Sequence, residues 1–473
     1  MLQTASLTFE RIASVMGGTL SGSASAAPSG YSIDTRTIRP GDLFFAIVGP
    51  NQNGHRFAAD AMAKGAAGVV ISDPAAIPKL PCVVVVPDTL RALQDLAAFV
   101  RRANPVKVVG ITGSSGKTTT KEMTRQALES AFRVHSSRGN LNNLFGCPLS
   151  LLELRPEHQV SVLEMGMSYH GELTRLAEIA DPDIGILTNV SGVHLAHFLD
   201  VDDVAAAKAE LFAGMRDNSI GIFNIDDDRC RRISESFKGY AFTFGIERAA
   251  DLTAMDYRME GLEGATFNVE HAHDGGIRRV QVRTRFAGMH HVYNALAAMS
   301  AGYMLGIDLE AMAARLATLE PLGMRGRVVR LRDQIRILDE SYNSNPAAMR
   351  FALQVLGEAE PLLSEGRKVV VIGDMLELGE AEVDAHRELG SAISAAGPAL
   401  VIGVGPLARI ALASVEKSRG AGAVELHWFQ TSGEAAREVI ARTKPGDIVL
   451  VKGSRGIALE KVVNALKERF GEE

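Results

Sequence analysis

Short, continuously apolar runs that alternate with helical stretches constrain this chain more than any other feature. From Val106 it reads VKVVGITG, then a helical segment from Lys117 to Phe132, then QVSVLEMG, DIGILTNVS and SIGIFNIDD. Strands apolar at every position are buried on both faces, so the pattern predicts a mainly parallel sheet covered by helices on each side. The same alternation returns from about Leu322 with KVVVIGDM, ALVIGVG and DIVLVKGS, which reads as a Rossmann-like, doubly wound unit. Ahead of Pro105 lies a smaller α/β unit. Its strand-like pieces are Leu43 to Val48, Val69 to Ser72 and Cys82 to Val86, and a turn-rich stretch, GGTLSGSASAAPSG, precedes them. Between Asp251 and Phe286, TFNVEH and RRVQVRTRF alternate with period two, which predicts a small antiparallel addition. The 473 residues accommodate about three domains. The expected division of this α/β chain is residues 1–105, 106–321 and 322–473.

Charge and cysteine content narrow the function. A net charge of −6 gives no general attraction to nucleic acid or to an anionic membrane, so an anionic ligand must be held by local donors. Cys82, Cys147 and Cys230 are too few and too scattered for a disulfide framework or a thiolate zinc site. The first residues lack a basic segment followed by an apolar one, and apolar runs such as Val83 to Val86 fall far short of a membrane span. A cytoplasmic protein is expected, and a monomer.

GITGSSGKTTTKEM, residues 110–123, joins the first apolar strand of the middle unit to its helix. A glycine-rich turn in that context points successive backbone N–H groups, and the helix amino terminus behind them, at one place that suits phosphate oxygens. Gly113, Ser114, Ser115, Gly116, Lys117, Thr118 and Thr119 are the candidate cradle. Lys117 is expected to meet the β- and γ-phosphates and the Thr118 hydroxyl to ligate Mg²⁺. The spacing departs from the usual G-x-x-x-x-G-K-[ST], because Ile111 stands where the first glycine would be and the glycine comes at Gly113.

Three further residues are candidates with an ordinary alternative each. Glu164 follows VSVL at the carboxyl end of a strand, where open α/β sheets bind ligands; it is a metal ligand or a solvated strand-end carboxylate. His194, in TNVSGVHLAHF, competes with His197 for a place near the metal. Lys208, in VAAAKAELF, reads either as an exposed helix lysine or as an amine that adds CO₂ and becomes an anionic oxygen ligand.

With these residues in view, the chain resembles the Mur ligases along essentially its whole length. The stretches that carry the likeness are IDTRTIRPGDLFFAIVGPNQNGHRF, TGSSGKTTTKEM, GNLNNLFGCP, DESYNSNPAAM, GDMLELGEAEVDAHRELG and VKGSRG. GNLNN and GDMLELG are most like the branch that joins D-alanyl-D-alanine to UDP-N-acetylmuramoyl-tripeptide through an acyl phosphate. The resemblance implies an amino-terminal domain for the UDP end, a central ATPase domain and a carboxy-terminal domain for the dipeptide. It implies ATP and two Mg²⁺ ions, with Glu164, His194 and a carbamylated Lys208 around the metal. Asn294 and Arg327 match nucleotide contacts, and Tyr342, Asn343 and Asn345 match the segment beside the adenine. Asp34, Thr35 and Arg36 fall in the uridine-side motif; Asn142 and Asn143 fall in the central substrate loop. His291 departs from the family's usual asparagine and receives no role, and which of Asp374, Glu377 or His386 meets the dipeptide stays open. Three rivals stand beside this reading: another amide ligase of the same superfamily, against which GNLNN and GDMLELG speak; a P-loop NTPase doing conformational work; and a UDP-sugar-binding protein, which leaves Lys117 and Thr118 without a task.

Overall fold

The computed structural model describes residues 7–22, 26–49, 52–76, 80–192, 195–273, 276–321, 323–420 and 424–473. Three sheets organise them into a three-domain α/β fold. The first has five strands in the order Thr19–Ser21, Val83–Val85, Gly68–Ile71, Asp42–Phe45 and Gly30–Ser32. The two outermost strands lie in or beside the stretch read from sequence as turns. Each has three residues and few apolar side chains, so pairing with the interior strands, not local pattern, makes them strands.

The central sheet has nine strands. Seven run parallel, from Val134–Ser136 at one edge to Leu252–Met259. Ala265–His273 and Gly276–Thr284 then add antiparallel, as the alternating pattern predicts. The central strand Lys107–Thr112 lies between Val160–Glu164 and Ile184–Leu187. From it the chain winds toward one edge, comes back through Val160–Glu164 and crosses to the other side. That reversal opens a crevice at the carboxyl ends of these strands.

The third sheet, order Arg327–Arg330, Arg336–Glu340, Ile448–Lys452, Lys368–Gly373, Leu400–Val404 and Glu425–Phe429, is parallel except for its first strand. Arg336–Glu340 and Glu425–Phe429 carry charged residues at their ends and lack the continuous apolar reading of their neighbours, which hides them in the sequence.

The first two domains share a core. One apolar cluster runs from Phe9 and Leu43 through Leu93, Leu96 and Val100 to Leu173 and Phe212. The helix Thr89–Ala103 makes this possible by burying Ala92, Leu93, Leu96, Ala97 and Val100, and Asp88 caps it through the N–H groups of Leu90 and Arg91. Arg101 closes the joint by donating to Ala180 O and Asp181 O and pairing with Asp183. The third domain has separate cores; among the described residues, only Leu262 and Ala287 of the central segment are buried members of one of them. Among the described residues no helix is long and apolar enough to cross a membrane.

Candidate functional site

The glycine-rich loop sits at the crevice, between Lys107–Thr112 and the helix Lys117–Leu128. Gly113 and Gly116 have φ of +151° and +80°, and a Cβ would fall 1.9 Å from Thr188 Oγ1 at the first and 2.4 Å from Asn294 Oδ1 at the second. Both positions demand glycine on two grounds, conformation and space. Neighbouring strand ends hold the loop's shape. The Ser114 hydroxyl donates to Ser191 O and accepts from its N–H, the Ser115 N–H donates to Asn189 Oδ1 at 3.0 Å, and Thr188 Oγ1 donates to Ser115 O at 2.7 Å.

Lys117 Nζ curls back onto Gly113 O, 2.7 Å away. Burial lowers its pKa; the Glu164 carboxylate opposes that shift and the Arg325 charge adds to it. Thr118 Oγ1 donates to Glu164 Oε2 at 2.7 Å, and Asn142 Nδ2 donates to Glu164 Oε1 at 2.8 Å. Glu164 is therefore no solvated strand-end carboxylate: it is buried and links the phosphate loop to the GNLNN loop. Its backbone N–H donates to Ser137 Oγ. Lys121, buried one turn into the helix, donates to Ser137 O at 2.7 Å and Gly139 O at 3.3 Å, so a second lysine anchors that loop. Asn143 is used locally, accepting from the N–H groups of Phe145 and Gly146. Thr119 follows in the first turn of the helix.

Lys208 lies on the helix Val201–Ala213 and is 2% exposed, which overturns the reading of an exposed helix lysine. Among the described residues its amine has neither hydrogen bond nor ion pair. Burial, with the Lys117 charge adding, drives its pKa well below the ordinary lysine value, while Cys230 acts the other way. His194 lies outside the described residues. His197 is exposed and its ring meets Tyr169, centroids 4.6 Å apart.

The far end of the second domain and the start of the third bring further groups toward the loop. Asn294 is buried and accepts from Thr120 Oγ1, beside Gly116. Arg327 holds its guanidinium at the surface, 2.5 Å from Glu472. Arg325 is the arginine whose charge reaches Lys117, and it stacks on Tyr342 at 3.8 Å. Gly326 between them has φ +76°, which breaks the strand alternation that would have placed both on one side. Asn345 caps the helix Pro346–Glu358, and Asn343 offers its carbonyl to Lys452. In GDMLELG, His386 is buried and structural, accepting from the Met375 N–H and donating to Glu382 O. Asp374 accepts from the Ala408 N–H, and Glu377 stands exposed at the turn with φ +64°.

A cleft of about 1680 Å³ opens between the first and second domains. Asp34, Thr35 and Arg36 line one wall; Arg138, Phe145 and His158 line the other. Asp34 accepts from the Arg36 backbone and guanidinium, and these hydrogen bonds hold its pKa below the usual carboxylate value. The pair fixes the turn while leaving Arg36 exposed to the cleft.

Three family models match in chain order. Mur ligase family, catalytic domain, covers 28–109; Mur ligase middle domain covers 111–302; and Mur ligase, glutamate ligase domain, covers 324–455. The UDP-N-acetylmuramoyl-tripeptide–D-alanyl-D-alanine ligase of Escherichia coli (strain K12) is 34% identical over 98% of this chain and 99% of its own. Its counterpart in Bacillus subtilis (strain 168) is 33% identical over 98% of each. Among solved structures, MurF from Acinetobacter baumannii superposes with a TM-score of 0.86 at 31% identity, covering 98% of both chains. MurF ligase from Thermotoga maritima, solved in complex with ADP, gives 0.79 at 27% identity over 93% of this chain and 97% of that one. Matched from end to end in sequence and in fold, the chain belongs to the Mur ligase family.

Proposed function

We propose that the protein is the ATP-dependent ligase that joins D-alanyl-D-alanine to UDP-N-acetylmuramoyl-tripeptide, a step of peptidoglycan precursor synthesis. The observation that carries this reading is that Glu164 accepts from both Asn142 and Thr118, because this ties a substrate loop to the phosphate loop. An NTPase doing conformational work has no need of that tie.

A carboxylate does not react with an amine at neutral pH, since oxide is not a leaving group. In the proposed reaction the tripeptide carboxylate attacks the γ-phosphorus of ATP, giving an acyl phosphate and ADP. The dipeptide amine then attacks the acyl carbon, and phosphate leaves. Loop N–H groups and Lys117, turned from Gly113 O to the nucleotide, neutralise charge on the transferring group. Asn294 holds the loop in register, and Arg325 with Tyr342 forms the third domain's side of the nucleotide site. The paired oxygens of Thr118 and Glu164 suit Mg²⁺, a hard cation, and the neutral amine of Lys208 is the form that takes up CO₂. Glu164, Thr118, His194 and a carbamylated Lys208 would hold two Mg²⁺ ions, which supply charge stabilisation at the γ-phosphate. The cleft beside Asp34, Thr35 and Arg36 takes the UDP end.

Domain limits at 105/106 and 321/322, a monomeric state and a cytoplasmic location belong to the same proposal. The test is phosphate release from ATP, which is expected only with UDP-N-acetylmuramoyl-tripeptide and D-alanyl-D-alanine together. Equal turnover with neither substrate present would refute it.

A further inference from the structure

Where the second and third domains meet, three side chains converge that the proposed reaction does not use. His290 and His291 open the helix Met289–Met304, and Glu340 ends the strand Arg336–Glu340. One ligating atom from each lies within 4.8 Å of the other two. His291 Nε2 and Glu340 Oε1 both border Gly326, at 3.2 and 3.5 Å from where a Cβ would stand, so the glycine leaves them room. His290 stacks on Phe351 of the third domain, centroids 5.0 Å apart, and lies 3.9 Å from the His291 ring. Its Nδ1 is buried without a hydrogen-bond partner among the described residues.

Two imidazoles and one carboxylate are the donor set of Zn²⁺ and its first-row neighbours, not of Mg²⁺. The Asn294 amide nitrogen lies 3.4 Å from His291 Nδ1, its oxygen being turned toward Thr120 and Gly116, so Asn294 backs the ring on the side away from Glu340. Lys452 Nζ, 3.2 Å from Glu340 Oε2, is the competing cation. It occupies one carboxylate oxygen and leaves Oε1 on the histidine side. Bringing the three atoms to the ~3.3 Å separation expected on one tetrahedral ion takes side-chain rotations of about an ångström.

We propose that His290, His291 and Glu340 form a transition-metal site of the Zn²⁺ class that clasps the third domain to the second. The proposal stands apart from the ligase reading. Because His291 touches Asn294 and Asn294 borders Gly116, an ion there also bears on the phosphate loop.

The test is titration of the chelator-treated full-length protein with Co²⁺ in excess Mg²⁺, which saturates oxygen sites but does not compete for imidazole. One equivalent is expected to bind with the visible ligand-field absorption of four- or five-coordinate Co²⁺. His291→Asn and Glu340→Gln should each weaken it by at least about tenfold, the scale on which metal-site substitutions act, while Glu164→Gln leaves it unchanged. Zn²⁺ should raise the unfolding temperature of the wild type and not of His291→Asn. No uptake at micromolar Co²⁺, equal uptake by a folded His291→Asn variant, or loss in Glu164→Gln would overturn the proposal. Should His291→Asn fail to fold, Glu340→Gln decides by the same criteria.

Discussion

Replacing Lys208 by methionine keeps the volume of a buried side chain and removes an amine with no partner among the described residues. In the unfolded chain this amine titrates near pH 10.4; in the folded protein burial holds it neutral far below that. The unfolded state therefore binds one more proton, and stability rises with pH between the folded and unfolded values. Each unit by which burial lowers the folded value costs folding about 1.4 kcal/mol at pH values below it. Lys208→Met should thus unfold at higher urea concentration than the wild type at pH 8, and the advantage should shrink as the pH rises toward the unfolded lysine value. Urea unfolding of both proteins in CO₂-free buffer, across that range, measures it. A difference that stays flat with pH would refute the neutral-amine argument. Turnover separates the roles: both Lys208→Met and Lys208→Ala should be nearly inactive, and only the alanine variant leaves space for acetate to restore part of the rate.

Gly116→Ala places a Cβ 2.4 Å from Asn294 Oδ1 at a φ of +80°, a strain of ~1–3 kcal/mol. Calorimetric titration with ATP should show affinity reduced at least about tenfold, and unchanged binding would mean the loop does not hold the nucleotide. Arg325→Ala should depress turnover while Arg327→Ala, which breaks an exposed pair worth under about 1 kcal/mol, leaves it within about twofold; equal effects in steady-state assays would contradict the placement of the two arginines.

How much of this was legible depends on whether the cause is local. Strands such as Lys107–Thr112 and Lys368–Gly373 announce themselves because burial on both faces makes nearly every residue apolar. The phosphate loop is legible for a similar reason, since its geometry is made by consecutive residues. Lys208 is the opposite case. VAAAKAELF looks the same on an exposed or a buried helix, and its burial comes from elements distant in sequence. Arg325 and Arg327 are two residues apart, so only the turn at Gly326 separates them. A sequence reading sees GMRGR and cannot weigh one arginine against the other. The role of Lys121 was hidden because its partners, Ser137 and Gly139, lie a strand away.

The core shared by the first two domains limits how this chain can be recombined. A chimaera cut near residue 105 would expose Leu93, Leu96 and Val100 on one fragment and Leu173 and Phe212 on the other, surfaces shaped to each other side chain by side chain. A graft near residue 322 leaves most of two separate cores intact, parting them from little more than Leu262 and Ala287. Exchange of the third domain between such chains therefore has an easy seam, while the first two domains are inherited together.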